Sequence, residues 1–175
     1  MRATNGGLLA PLSDCEIVIP GAGIIHPRIL PELSDQKGAN YVDEPVMGRS
    51  SPPQIYSYSE KRVFGITLHF FAETSKQSLE NLKELRWIQS ALYPRSDSGS
   101  APFAPPPICT IKCGRIFADA PLCVILKNYS VKYPTDVPWD ETTYLPIKFD
   151  VDTSWEVVYK VTSLPGAEKI ITSGG

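Results

Sequence analysis

The chain has little of what active sites are usually made from. It holds two histidines, His26 and His69, and neither has a second histidine at ligand spacing. Its four cysteines, Cys15, Cys109, Cys113 and Cys123, form no CxxC pair, so the zinc-ribbon and thioredoxin signatures are both missing. A four-ligand zinc site would draw cysteines from three separate segments. Cys109 and Cys113 share a strand face, but about 13 Å of extended chain separates them, too far for a disulfide. The thiols read as reduced small hydrophobes. Pro20-Gly21-Ala22-Gly23 lacks the Lys-Ser/Thr of a phosphate loop and the third glycine of a dinucleotide fingerprint, so it reads as a turn. No cofactor and no metal is expected.

Long apolar runs are absent too. No stretch of about 18 apolar residues offers a membrane span. Met1 to Gly7 lacks the apolar centre of a secretory signal, so synthesis in the cytoplasm is expected, with no membrane partner. Charge of one sign is also scarce. Lys and Arg number 17 against 19 Asp and Glu, for a net charge of −2. The basic residues are scattered singly, whereas a reader of duplex DNA needs a basic stripe.

What the chain has is an ordinary share of apolar residues, 42%, over a length of 175. That supports one real core and excludes collagen, coiled-coil and wholly disordered classes. Prolines and glycines, 17 and 12 of them, make up roughly one residue in six and cut the chain into short pieces.

Residues 1–53 read as an extended, mostly irregular arm. Cys15 to Ile19 is a short strand, and breakers after it leave no room for a helix of normal length. The segment carries Ile24, Ile25, Ile29, Leu30, Leu33, Tyr41, Val42 and Val46. That is too much apolar surface for a free tail, so the arm is expected to lie on its own domain or on a neighbouring subunit. From residue 54 to 161 the pattern is a β domain. Gln54 to Tyr58 is a short strand. Lys61 to Glu73 alternates strictly, with Phe64, Ile66, Leu68, Phe70 and Ala72 on one face. Thr74 and Gln77 form a capping-box pattern ahead of a helix over 75–92, whose stripe is Leu79, Leu82, Leu85, Ile88 and Leu92, widened by Trp87 and Ala91.

Residues 94–107 form a Pro/Ser linker. Strands follow at Ile108 to Cys113, briefly at Arg115 to Ala118, then at Leu122 to Tyr133, Thr143 to Val151 and Trp155 to Val161, with a loop at Pro134 to Asp140. Pro146 marks an edge or a bulge. Residues 162–175 read as a tail. The fold class is mainly β (α+β): a β-sandwich or half-barrel with one flanking amphipathic helix.

Chemistry finds little purchase. Asp140-Glu141 and Asp150/Asp152 are the carboxylate pairs an acid–base mechanism would need. The first sits in a turn and the second shares a face at a strand end, where solvated charges are the plainer reading. No local feature brings a histidine to a thiol. Trp139 and Trp155 mark either a binding surface or lids on the core. The profile is that of an assembly subunit and not an enzyme: edge strands need partners, and the arm cannot bury itself.

One set of segments carries a resemblance. The helix ends Leu85-Arg86-Trp87-Ile88-Gln89-Ser90-Ala91-Leu92-Tyr93-Pro94. After a variable linker, Pro106-Pro107-Ile108-Cys109-Thr110-Ile111-Lys112-Cys113-Gly114 enters a strand. Ile125 to Tyr133 and Leu145 to Val151 then form a strand pair. Over about residues 54–151 this order resembles the tail-tube junction, or tube-initiator, proteins of contractile phage tails and related injection systems. Arg115 stands where the family has an aromatic, and residues 1–53 have no counterpart.

The resemblance implies a virion protein of the baseplate. It would form a homo-oligomeric, hexameric ring that joins the central spike hub to the tail tube and initiates tube assembly, with DNA meeting it only in transit. Lys61 to Glu73 and Leu122 to Tyr133 would be the barrel strands. Thr67, His69, Lys127 and Lys132 would suit a hydrophilic lumen if their faces point inward. Subunit contacts would fall on Ile24, Ile25, Ile29, Leu30 and Tyr41 of the arm and on Phe64, Phe70, Tyr129, Tyr133 and Trp139 of the domain. The alternative is a stand-alone β-sandwich module binding a ligand such as carbohydrate through Trp139, Trp155 and nearby carboxylates. A hydrolase built on Asp140 or Glu141 is a third reading.

Overall fold

Short alternating runs between breakers can only make strands, and strands dominate the computed structural model, which describes residues 14–45, 47–48, 50–94, 105–117 and 121–158. In chain order the elements are β1 (Cys15–Ile19), β2 (Gly23–Ile25), β3 (Glu32–Gln36), β4 (Ala39–Asp43), β5 (Gln54–Ser59), β6 (Val63–Phe71), α1 (Ser75–Ser90), β7 (Cys109–Cys113), β8 (Leu122–Lys132) and β9 (Lys148–Val157). Seven strands form one antiparallel sheet in the order β2-β1-β7-β8-β9-β6-β3, and β4 pairs with β5 in a separate hairpin. Among the described residues the chain is mainly β with one helix, as its alternation predicts.

The sheet curls. The ring of Phe117, just beyond β7, lies 4.2 Å from that of Phe64 on β6 and tilted to it, although β8 and β9 lie between their strands. The helix touches both β2, at one edge, and β6, next to the other edge. It therefore spans the opening of a half-barrel that does not close. The 26–31 connection runs from one edge strand to the other, and Arg28 pairs with Glu80 of the helix at 2.7 Å.

Burial follows the period. Phe64, Ile66, Leu68, Phe70 and Ala72 are all buried, as are Cys109, Ile111 and Cys113. On β9 the inward residues are Phe149, Val151, Thr153, Trp155 and Val157. The indole N–H of Trp155 donates to Thr153 Oγ1 at 2.7 Å, and Thr153 in turn donates to the Ile66 carbonyl at 2.8 Å. This chain satisfies the polar atoms a buried Trp and Thr would otherwise strand. A Cβ on Gly23 would lie 2.5 Å from the Trp87 ring, so the helix can sit this close to β2 only over glycine.

The helix starts as its capping residues dictate. Thr74 Oγ1 accepts from the Gln77 amide at 3.4 Å, and Gln77 Oε1 accepts from the Glu73 amide at 2.8 Å. Its buried stripe differs from the expected one. Ser78, Asn81, Leu85 and Ile88 face the sheet, while Leu79 is 54% exposed. Asn81 earns its place by donating to the Phe71 carbonyl at 3.1 Å.

Three expectations are corrected. Within the described part of the arm at 1–53, the expected strand Cys15–Ile19 is β1, but β2 and β3 were not expected, and all three join the main sheet. The expected strand at Thr143 to Val151 starts only at Lys148. Before it the chain is held by a turn and by an isolated Trp139–Pro146 bridge, and after it the same strand continues through Trp155 to Val157. Arg115 to Phe117 is a turn whose Phe117 plugs the core. Most of the 94–107 linker and the 162–175 tail lie outside the described residues.

Candidate assembly surfaces

The face of the sheet away from the core is a cross-strand lattice of opposite charges. Register sets it: Thr67 lies level with Asp152, His69 with Asp150, and Asp150 with Lys132. His69 Nδ1 is 2.7 Å from Asp150, Thr67 Oγ1 donates to Asp152 at 2.7 Å, and Lys132 reaches Asp152 at 2.6 Å. Farther along, Glu156 receives Lys61 at 2.6 Å and Lys127 at 3.0 Å. Hydrogen bonds from Lys132 and Thr67 hold the Asp152 carboxyl below the ordinary range. The hydrogen bond from Lys61 does the same for Glu156, against the opposing effect of burial.

Lys127 owes its place to a bulge between Leu126 and Asn128. The bulge lets Leu126 and Tyr129 both face inward across it and turns the lysine outward. Thr67, His69, Lys127 and Lys132 therefore share one hydrophilic face. The imidazole of His69 is a cross-strand strut. Its Nε2 faces Glu32 at 3.8 Å, so both ring nitrogens are directed at carboxylates and neither at a nucleophile.

The second surface is the hairpin. Glu60 donates to the Gly38 carbonyl at 2.8 Å, which continues the β3–β6 ladder into β4–β5. The result is one continuous ribbon whose outer half is a separate two-stranded sheet. Every residue of β5 is exposed. Tyr41, Val42, Ile55, Tyr56 and Tyr58 all remain more than half exposed. Val42, Pro45, Ile55 and Tyr56 line an open groove of about 360 Å³.

The expected contact residues divide sharply. Ile24, Ile29, Leu30, Tyr41, Tyr133 and Trp139 are exposed. Ile25, Phe64 and Phe70 are buried in this chain's own core, so these three are corrected from contact to core residues; Tyr129 is partly buried against that core. Ile25 lies on the inward face of β2, and Phe64 and Phe70 on the inward face of β6. Strand parity on β6 already placed its pair there.

Of the groups singled out for ligand chemistry, Asp140, Asp150, Asp152 and Trp155 are spent on structure, while Trp139 and Glu141 are exposed. Asp140 accepts from Thr143 Oγ1 at 2.6 Å and from the Thr142 amide at 3.1 Å. These bonds keep its carboxyl ionised below the ordinary range and tie it into its turn. Trp155 is wholly buried. Among the described residues, no group of three or more His, Cys, Asp or Glu side chains is arranged to hold a metal ion, and no helix is long and apolar enough to cross a membrane.

Sequence reasoning missed the hairpin. Its signal was present: Ala39 to Asp43 and Gln54 to Ser59 are β-rich runs flanking a Pro/Gly/Ser-rich turn. Neither protein-family profiles nor curated proteins give a match to this chain.

Proposed function

We propose that this protein is a structural ring subunit of a contractile tail or injection-system baseplate, joining the hub to the tube and initiating tube assembly. The observation that carries it is the β4–β5 ribbon. An isolated two-stranded hairpin is marginally stable in water at best, yet this one exposes a row of tyrosines, isoleucine and valine on a projecting stem. Such a stem suits a neighbouring copy of the same chain, which would bury the groove and pair its free edges.

The open half-barrel supports the reading, because a ring of such sheets satisfies edges that a lone subunit leaves bare. The hydrophilic face of β6, β8 and β9 suits the wall of a lumen. Its charges are paired and near balance, so DNA would pass without being held. The carbohydrate-module alternative keeps Trp139 but has no use of Trp155.

The test is light scattering and negative-stain imaging of the full chain beside a variant in which residues 39–59 are replaced by Asn-Gly. Gly38 and Glu60 are already hydrogen-bonded, so a two-residue turn closes the body without disturbing its ladder. Rings, or a mass about six times 19.3 kDa, are expected for the full chain, with a folded monomer for the variant. A full chain that stays monomeric at every concentration, with hairpin amides strongly protected from hydrogen exchange, would overturn the proposal.

A further inference from the structure

Cys15 and Cys113 lie directly opposite each other on β1 and β7. The Gly114 amide donates to the Asp14 carbonyl at 3.2 Å, so the 14/114 pair is a hydrogen-bonded one and the neighbouring 15/113 pair is not. In non-hydrogen-bonded antiparallel pairs the Cα atoms stand about 4.5 Å apart and the side chains are closest, within the range a disulfide spans. Both side chains lie on the buried face of the sheet, so the two thiols share one environment. The other cysteines are differently arranged. Cys123 is level with Thr110, so it lies on the opposite face of the sheet from Cys109, and their Cβ vectors point apart. Cys109 and Cys113 are four residues apart on one strand.

We propose that Cys15 and Cys113 are a redox modification site, converting to a cross-strand disulfide when a small disulfide oxidant such as oxidised glutathione meets the pair. One thiolate attacks the oxidant and expels a thiolate, leaving a mixed disulfide. The second cysteine attacks the protein-side sulfur and expels the other thiolate. Two protein thiols lose two electrons and two protons, and oxidised glutathione becomes two reduced molecules.

Burial, and then its neighbour Cys15, push the Cys113 thiol up to about 12. Both side chains are less than a tenth exposed. The closed pair is thus slow to react, and oxidation proceeds while the chain folds or when β1 parts from β7. The consequence is mechanical. Apart from the short edge strand β2, only β7 holds β1 in the sheet, and the disulfide makes that attachment covalent. The inference does not depend on the assembly proposed above.

The full chain should be refolded from denaturant with reduced and oxidised glutathione, then analysed by intact mass and peptide mapping. The expected result is loss of about 2 Da without a glutathione adduct, mapped to Cys15–Cys113. A Cys109→Ala/Cys123→Ala double variant should keep that loss, and Cys15→Ala or Cys113→Ala should abolish it. The linked form closes a loop of about 100 residues and should melt higher by about 10 °C. A link through Cys109 or Cys123, a persistent glutathione adduct, an unchanged mass or an unchanged melting temperature would each overturn the proposal.

Discussion

Strands β5 and β6 are neighbours in the chain and similar in composition, yet they meet opposite fates. Both are rich in aromatic and β-branched residues. On β6 every second side chain disappears into the core, while on β5 none does. The cause is the bend at Gly38 and at 60–62. Before it the ribbon is two strands among seven; beyond it, among the described residues, the pair has no further strand beside it and no extensive contact with the helix. Local β-propensity is therefore the same on both sides, and only the neighbours differ. The body is stabilised by its own packing. The ribbon leaves its apolar side chains more than half exposed.

That contrast predicts different responses to substitution. The largest effect belongs at the centre of the body. Trp155→Ala removes a fully buried ring and leaves Thr153 with one partner fewer. Chemical denaturation should show a loss of about 3–5 kcal/mol. A loss below about 1 kcal/mol would mean that the half-barrel is not packed around Trp155.

Next comes the contact between helix and edge strand. Gly23→Val drives a branched side chain into the Trp87 ring, which would stand 2.5 Å from the first added carbon. Overpacking of this kind costs about 1–3 kcal/mol. Pairing it with Trp87→Leu should restore part of that loss, because the double variant removes the clash. A denaturant midpoint equal to wild type for Gly23→Val alone would show that the helix does not close the opening as described.

A smaller effect, with a distinctive pH signature, belongs to Glu84. Its side chain lines a cavity of about 10 Å³, room for a single water, together with Arg28, Leu68, Phe70 and Asn81. Desolvation raises its pKa from 4.5 to about 7; Arg28 lowers it and Glu80 raises it further. The folded chain thus holds this proton more tightly than the unfolded one. The stability it contributes is complete below about pH 4.5 and is lost as the pH rises through about 7. Glu84→Gln should stabilise the body at pH 8 by about 1 kcal/mol, allowing for its partial exposure, and change little at pH 4. Urea midpoints at both pH values check the sign, and equal effects at the two would refute the assignment.

The difference between the two regions also explains what the sequence disclosed. The β6 alternation, the Thr74–Gln77 cap and the parity of Cys109, Ile111 and Cys113 are local patterns, and the structure repeats them. The fate of residues 15–36 was not legible, because their strands are stabilised by β7 and β6, which lie far away in the chain. Asn81 was not singled out, because its partner, the Phe71 carbonyl, belongs to another element. The polar lattice was half visible. Asp150 and Asp152 shared a face, but only register across three strands supplied Thr67, His69 and Lys132. Phe64 and Phe70 were misread because a greasy strand looks alike whether it meets its own core or a neighbour.

The smallest stability change is the most telling, because it separates folding from assembly. Ile55 is half exposed on the outer part of the ribbon, beside the groove it forms with Val42, Pro45 and Tyr56. Ile55→Lys places a charge where this chain alone has only water, so the denaturant midpoint should move by no more than about 0.5 kcal/mol. If a neighbouring copy covers the groove, the same lysine is desolvated and overpacked there, and even with Asp43 and Glu44 among the lining residues this costs about 1–3 kcal/mol at each subunit contact. Ring formation should therefore fail at concentrations where the wild type assembles, while the monomer melts normally. Imaging and light scattering read the first outcome, and thermal denaturation reads the second. A variant that assembles as well as wild type would show that the groove faces solvent in the ring, and would move the contact elsewhere on the ribbon. One that unfolds would show that the ribbon supports the body after all.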